Sequence, residues 1–130
     1  MNDISAVFSE DAPRPIGPYS QAVRAGDYLY VSGMLPINPV TEKIAITDIE
    51  GQTKQVLENI VAVLKSAGAG IDQVIKTTIY LANIEAFPVV NRAYGEIFTG
   101  EVKPARETVQ VARLPLDAKI EISCIAYLGK

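Results

Sequence analysis

The sequence contains no histidine and one cysteine, Cys124. That inventory removes Ser-His-Asp and Cys-His nucleophiles, histidine-ligated zinc, CxxC redox sites and an internal disulfide. No GxGxxG fingerprint or Walker loop occurs, which speaks against a bound dinucleotide or nucleoside triphosphate. Catalysis has to be built from Arg, Asp/Glu, Lys, Tyr, Ser/Thr, Asn/Gln and the backbone. The stretch from Lys103 to Pro115 concentrates such groups behind a prolyl turn. With strand alternation from Arg106 onward, Arg106, Thr108, Gln110 and Ala112 share one face, and Glu107, Val109, Val111 and Arg113 the other. An arginine leading a polar file into a sheet suits an anion, because guanidinium grips a carboxylate through two parallel hydrogen bonds. A solvated edge arginine carries the same signature.

The remaining elements decide what such an arginine faces. A chain of 130 residues, 48% hydrophobic and 21% charged, reads as one domain over 1–130 with a proper core. The net charge of −3 and the lack of a basic run give no support to a nucleic-acid surface. Met1 to Ser5 lacks the basic start of a signal peptide, and no apolar run nears the roughly 20 residues that span a bilayer. The expectation is a cytoplasmic protein, or an organellar one whose address has been removed, without membrane contact.

Strands are expected at Ala6–Phe8, Ser20–Val23, Tyr28–Ser32, Val74–Leu81, from Arg106, and at Lys119–Leu128. The proline-rich segment from Ala12 to Tyr19 is an extended loop, in which Tyr19 either anchors the turn or serves a site. Ser32-Gly33 ends a strand as a bulge or as a close backbone approach to a ligand. Capping-box spacing from Thr47 to Glu50 opens a helix that carries Val56, Leu57, Ile60, Val61, Val63 and Leu64 and stops at Gly68 and Gly70. A second helix runs from Ala86 to Phe98, with Pro88 in its first turn and Asn91 off its main apolar file. In the last strand the all-apolar face makes Cys124 a buried small hydrophobe.

The order β-β-β-α-β-α-β-β describes an α+β two-layer sandwich, a six-stranded sheet with two helices on one face. The apolar faces of the last two strands should meet those helices. Arg106, Thr108, Gln110 and Glu121 would then share the uncovered face, which burial against further copies would shield. If the last two strands form a hairpin, Glu121 falls opposite Gln110 and about 13 Å along the strand from Arg106. A small acid cannot bridge that distance, so either a bulge shortens it or neighbouring chains complete the site.

Six segments in order resemble the Rid family, its RidA (YjgF-type) branch in particular. They are Ile16-Gly-Pro-Tyr-Ser-Gln21, Val31-Ser-Gly33 with Pro36, Val90-Asn91 with Tyr94, Pro104-Ala-Arg106, Val111-Ala-Arg-Leu-Pro115 and Lys119-Ile-Glu121. The likeness runs from about residue 6 to the C-terminus. It implies a chorismate-mutase-like fold, a mostly antiparallel sheet and a homotrimer with clefts between subunits. It also implies a hydrolase without metal or organic cofactor. That enzyme converts 2-iminobutanoate and 2-aminoacrylate-derived 2-iminopropanoate to 2-oxo acids and ammonia, protecting pyridoxal-phosphate enzymes.

By the same resemblance Arg106 clamps the substrate carboxylate and Glu121 positions or activates the hydrolytic water. Tyr19, Ser32, Gly33 and Asn91 shape the pocket, and Thr108 stands where the branch often has cysteine. Met34 stands where glutamine is common. An imine is electrophilic enough to need no covalent nucleophile, only a held carboxylate, a placed water and proton management. The competing expectation is a non-catalytic small-carboxylate sensor or protein-binding regulatory trimer with the same cleft. An RNA-directed role fits poorly with the net charge and the absence of an exposed aromatic file.

Overall fold

The structure is a computed structural model that describes residues 3–129. Met1, Asn2 and Lys130, which end the expected domain and begin the segment read as lacking a signal peptide, lie outside the described residues. Six strands form one sheet: β1 (Ile4–Val7), β2 (Ala22–Ala25), β3 (Tyr28–Met34), β4 (Val74–Leu81), β5 (Ala105–Gln110) and β6 (Ile120–Tyr127). The helices α1 (Ile49–Ser66) and α2 (Phe87–Ile97) pack together against one side of it, giving the expected α+β two-layer sandwich. Among the described residues no helix is long and apolar enough to cross a membrane.

Helix α1 starts one residue later than the capping-box spacing suggests. Asp48, not Thr47, is the N-cap, and its carboxylate accepts a hydrogen bond from the Gly51 amide at 2.9 Å. At the other end Gly68 adopts φ +75°, so that its amide reaches Lys65 O and the next amide, Ala69, reaches Leu64 O. This is a Schellman stop, which a glycine enters without steric cost. Val56, Leu57, Ile60, Val63 and Leu64 are fully buried, whereas Val61 faces outward. The side of the sheet they cover presents Leu29, Val31, Ile79, Leu81, Ile120, Ile122, Cys124 and Ala126. Burial pushes the Cys124 thiol up to about 12, so it behaves as the small hydrophobe its position suggested.

Strand order corrects the expectation in three respects. The sheet runs β1-β2-β3-β6-β4-β5, so β5 and β6 are not a hairpin. Strand β5 pairs parallel with β4, and α2 supplies the crossover that a parallel pair needs. Strand β6 returns antiparallel between β3 and β4, which is where an all-apolar alternating face buries most surface.

The second correction concerns the faces. Arg106, Thr108 and Gln110 pair in register with Thr77, Ile79 and Leu81, and Thr77, Ile79 and Leu81 point into the helix layer. The polar file of β5 therefore lies on the helix side, while Glu121, in register with Tyr80, lies on the open side. The third follows from it: β6 turns its apolar face to the helices, but β5 does not, and Val109 remains 44% exposed on the open side. The strand also ends at Gln110, and Val111 instead joins a small apolar cluster with Leu35, Ile37, Leu114 and Ala118.

Candidate functional site

The expected site residues fall into two groups on opposite sides of the sheet. On the open side, a hollow of about 400 Å³ is lined by Ile16, Tyr19, Ser32, Gly33, Leu35, Pro115 and Glu121. Its frame is a set of buried polar ties that the sequence reading did not single out. The Gln21 carboxamide, 1% exposed, accepts from Ser9 N at 2.6 Å and donates to Ser9 O at 3.1 Å and Pro13 O at 2.8 Å. It thereby pins the start of the proline-rich loop. The Tyr19 hydroxyl accepts from Ile16 N at 3.2 Å, so the ring does anchor its own loop while lining the hollow. Asn59 on α1 donates to Leu35 O and Ile37 O, each at 3.0 Å, and holds the far wall. Buried glutamine and asparagine inside amphipathic patterns were the available signal, because such groups persist only when fully bonded.

Ser32 and Gly33 form a bulge in β3: Val31 faces Cys124 and Met34 faces Ile122, leaving one residue extra. Ser32 donates its hydroxyl to Ser20 O at 2.6 Å and its amide to Gln21 O at 2.9 Å. The glycine has a specific reason. A Cβ on Gly33 would overlap Glu121 Oε2 and come within 2.7 Å of Cδ, so the carboxylate occupies the volume a side chain would need. Glu121 is half-buried beside this backbone, its carboxylate makes no hydrogen bond or ion pair among the described residues, and burial pushes that carboxyl above the usual range.

On the helix side, Arg106 projects from the edge strand toward α2. Its Cζ stands 5.3 Å from the centroid of the Phe87 ring and 4.9 Å from that of Tyr94. Among the described residues its side chain forms no ion pair and no hydrogen bond. It borders two hollows, one of about 420 Å³ with Tyr94, Gly95, Phe98, Lys103 and Pro104, and one of about 400 Å³ with Ile84, Phe87 and Thr108. Asn91 lies between Phe87 and Tyr94 on the same stripe of α2, and Thr108 follows Arg106 on the same face of β5. Asn91 Oδ1 and Thr108 Oγ1 are both buried without a hydrogen-bond partner. Buried acceptors of this kind call for an explanation, and a donor supplied by a ligand is one.

The structure thus joins Arg106 with Thr108 on one side and Tyr19, Ser32 and Gly33 with Glu121 on the other. Arg106 aligns with Thr77 and Glu121 with Tyr80, three residues further along β4 and across it. That is roughly 10 Å along the strands and roughly 10 Å across them, with the sheet in between. A small acid cannot touch both groups of one chain. Among the described residues no group of three or more His, Cys, Asp and Glu side chains is arranged to hold a metal ion.

Residues 9–128 match the family described as Endoribonuclease L-PSP. A RutC family protein of Pyrococcus horikoshii is 53% identical over 121 residues, which cover 93% of this chain and 95% of that protein. Reactive Intermediate Deaminase A, a chloroplastic protein of Arabidopsis thaliana, is 48% identical over 122 residues, or 94% of this chain and 65% of that one. Among solved structures, a Rid family protein from Yersinia pestis superposes with a TM-score of 0.93 at 48% identity, covering 95% of this chain and 98% of the other.

Proposed function

The chain belongs to the Rid family, the group described as Endoribonuclease L-PSP, and from that premise we propose that it hydrolyses reactive 2-imino acids to 2-oxo acids and ammonia. The substrates in this reading are 2-iminobutanoate and 2-iminopropanoate, the latter formed from 2-aminoacrylate. A relative of this chain bears the name Reactive Intermediate Deaminase A, which supports the reaction class. The observation that carries the reading is Arg106: a guanidinium with no anion and free donors among the described residues, on the same side of the sheet as two orphaned polar atoms. Its cellular role would be to clear imines released by pyridoxal-phosphate enzymes, in the cytoplasm where they arise.

The active unit in this reading is a homotrimer. Tyr28 and Tyr30 on β3 are 41% and 49% exposed on the open side, and Val109 on the edge strand β5 is 44% exposed there, apolar surface that water covers poorly. Packing that face against neighbouring copies brings the Glu121 hollow of one chain toward the Arg106 edge of the next. The substrate carboxylate pairs with Arg106 through two parallel hydrogen bonds, which fixes the imine carbon. Glu121, as carboxylate, takes a proton from a water as that water adds to the imine carbon. The resulting carbinolamine then gains a proton on nitrogen, loses ammonia and leaves the 2-oxo acid. Atoms balance as one imine plus one water to one oxo acid plus one ammonia.

A coupled assay with threonine dehydratase tests the proposal, comparing wild type, Arg106→Ala and Thr108→Cys. Ammonia release above the spontaneous rate that is lost in Arg106→Ala supports it. Carboxylate binding without turnover would move the protein to the sensor reading instead.

Gly33→Ala probes the open-side group separately. The atom it crowds belongs to a movable side chain, so the fold should tolerate it, with Tm changed by no more than about 4 °C. Glu121 must move aside, however, and kcat is expected to fall by about 10-fold or more. Wild-type kcat in this variant would show that Glu121 does not need its present position.

A further inference from the structure

An arginine at a sheet edge normally acquires its orientation from a carboxylate, which neutralises it and occupies its donors. Arg106 has no such partner among the described residues. Two aromatic rings of α2 hold it instead, with Cζ 5.3 Å from the Phe87 centroid and 4.9 Å from the Tyr94 centroid. An aromatic face attracts the cation through its quadrupole, yet it accepts none of the five N–H donors at the guanidinium edge. The full charge and the whole hydrogen-bonding fork thus stay available to an incoming acid.

The rings are themselves fixed. The Tyr94 hydroxyl bonds the Thr77 hydroxyl at 2.8 Å, and Thr77, 0% exposed, is the residue aligned with Arg106 on the neighbouring strand. The tie therefore closes a ring of contacts from Arg106 across the sheet to Thr77, up to Tyr94 and back over its ring. Tyr94 also packs on Phe98 at 4.3 Å between centroids, and Phe87 sits seven residues before it on the same helical stripe. Burial is the main cause raising the Tyr94 hydroxyl above its ordinary range, against smaller opposing effects of the Thr77 bond and of Arg106. Arg106 accordingly faces a neutral phenol and no phenolate counterion.

We propose that Phe87 and Tyr94 are positioning residues that orient Arg106 for the substrate carboxylate while leaving its charge and donors unspent. The inference rests on the imino-acid reading for its substrate, but not for its geometry, which concerns any small 2-oxo or 2-imino acid.

The test uses the full-length protein and the variants Phe87→Leu, Tyr94→Leu, Phe87→Tyr and Tyr94→Phe. KM and kcat are measured with enzymatically generated 2-iminobutanoate, and Kd for 2-oxobutanoate by calorimetry. Phe87→Leu is expected to raise KM and Kd roughly 3- to 30-fold with kcat changed less than about 2-fold, since orientation of the clamp acts on binding. The ring-keeping variants should return both constants to within about 3-fold of wild type. A helix that merely packed poorly would lower kcat and the active fraction at unchanged KM.

Tyr94 is a core residue, so if Tyr94→Leu fails to fold, Phe87→Leu alone decides. Wild-type Kd in a folded Phe87→Leu protein overturns the proposal, whatever the fate of the deaminase reading. A shifted Kd in a protein that never turns over imine supports the cradle and overturns the deaminase reading. A wild type that binds no 2-oxobutanoate overturns the cradle.

Discussion

Arg106→Ala is expected to lower kcat/KM for 2-iminobutanoate by on the order of 30-fold or more, corresponding to the about 2–5 kcal/mol carried by a desolvated, hydrogen-bonded charge pair. The spontaneous hydrolysis of the imine sets the floor, so a weak enzyme will reach that floor before the full loss is seen. The loss should fall on KM and Kd together, because the clamp grips the carboxylate in ground and transition states alike. The fold should be unaffected: Arg106 is solvent-exposed, and among the described residues its side chain makes no hydrogen bond or ion pair, resting on the Phe87 and Tyr94 rings. Arg106→Lys supplies the sharper comparison. It keeps the charge but offers one ammonium in place of the planar fork, so it should recover only part of the affinity. Lysine matching arginine would indicate simple charge attraction and remove the argument for a bidentate clamp.

Glu121→Gln is the second large effect and should fall on kcat. Removing a positioned base costs on the order of 10²-fold or down to the spontaneous rate, whichever comes first, with Kd for 2-oxobutanoate nearly unchanged. The pH profile carries the sign. Burial beside Gly33 raises the carboxyl above its ordinary value, and among the described residues no second charged side chain lines the hollow. The base form is then lost as pH falls through that raised value, so kcat declines on the acid side earlier than an exposed glutamate would dictate. Glutamine at 121 should abolish this acid limb along with the rate, as seen in kcat measured from pH 4 to 8. An unaltered limb in Glu121→Gln would assign the titration to another group.

Local patterns in the sequence revealed the elements well. Val74–Leu81 and its strand coincide, since a run dominated by Val, Ile, Thr and Tyr on an interior strand leaves little choice of boundary. The apolar alternation from Ile120 to Ala126 likewise matched its burial, as did the helical spacing of Val56 to Leu64 apart from the exposed Val61. What the residues alone did not reveal was non-local. Adjacency in sequence suggested a hairpin for the last two strands, whereas the α2 crossover makes β5 a parallel edge strand and leaves the place beside β4 to β6.

The same point explains the misplaced face of Arg106. A file of Arg, Thr and Gln looks like a solvent face. On this edge strand it meets an aromatic stripe of α2 that accepts a cation. The named site residues came from motif resemblance, and their division between two sides of a sheet could come only from strand register. Phe87 and Tyr94 had a signal of their own, two aromatics seven residues apart flanking Asn91, but it reads equally as core packing.

The central claim is that one chain holds the clamp and another the base. It is tested most directly by mixing two impaired chains. Arg106→Ala keeps Glu121, and Glu121→Gln keeps Arg106, so in the proposed homotrimer either variant alone would leave every cleft damaged. Co-expressed in equal amounts and randomly assembled, they should place an intact Arg106 opposite an intact Glu121 in roughly a quarter of the clefts, from the symmetry of a closed ring. The account predicts recovery of roughly a quarter of wild-type deaminase activity in the purified mixed trimers. Activity no higher than that of the parent variants would contradict it.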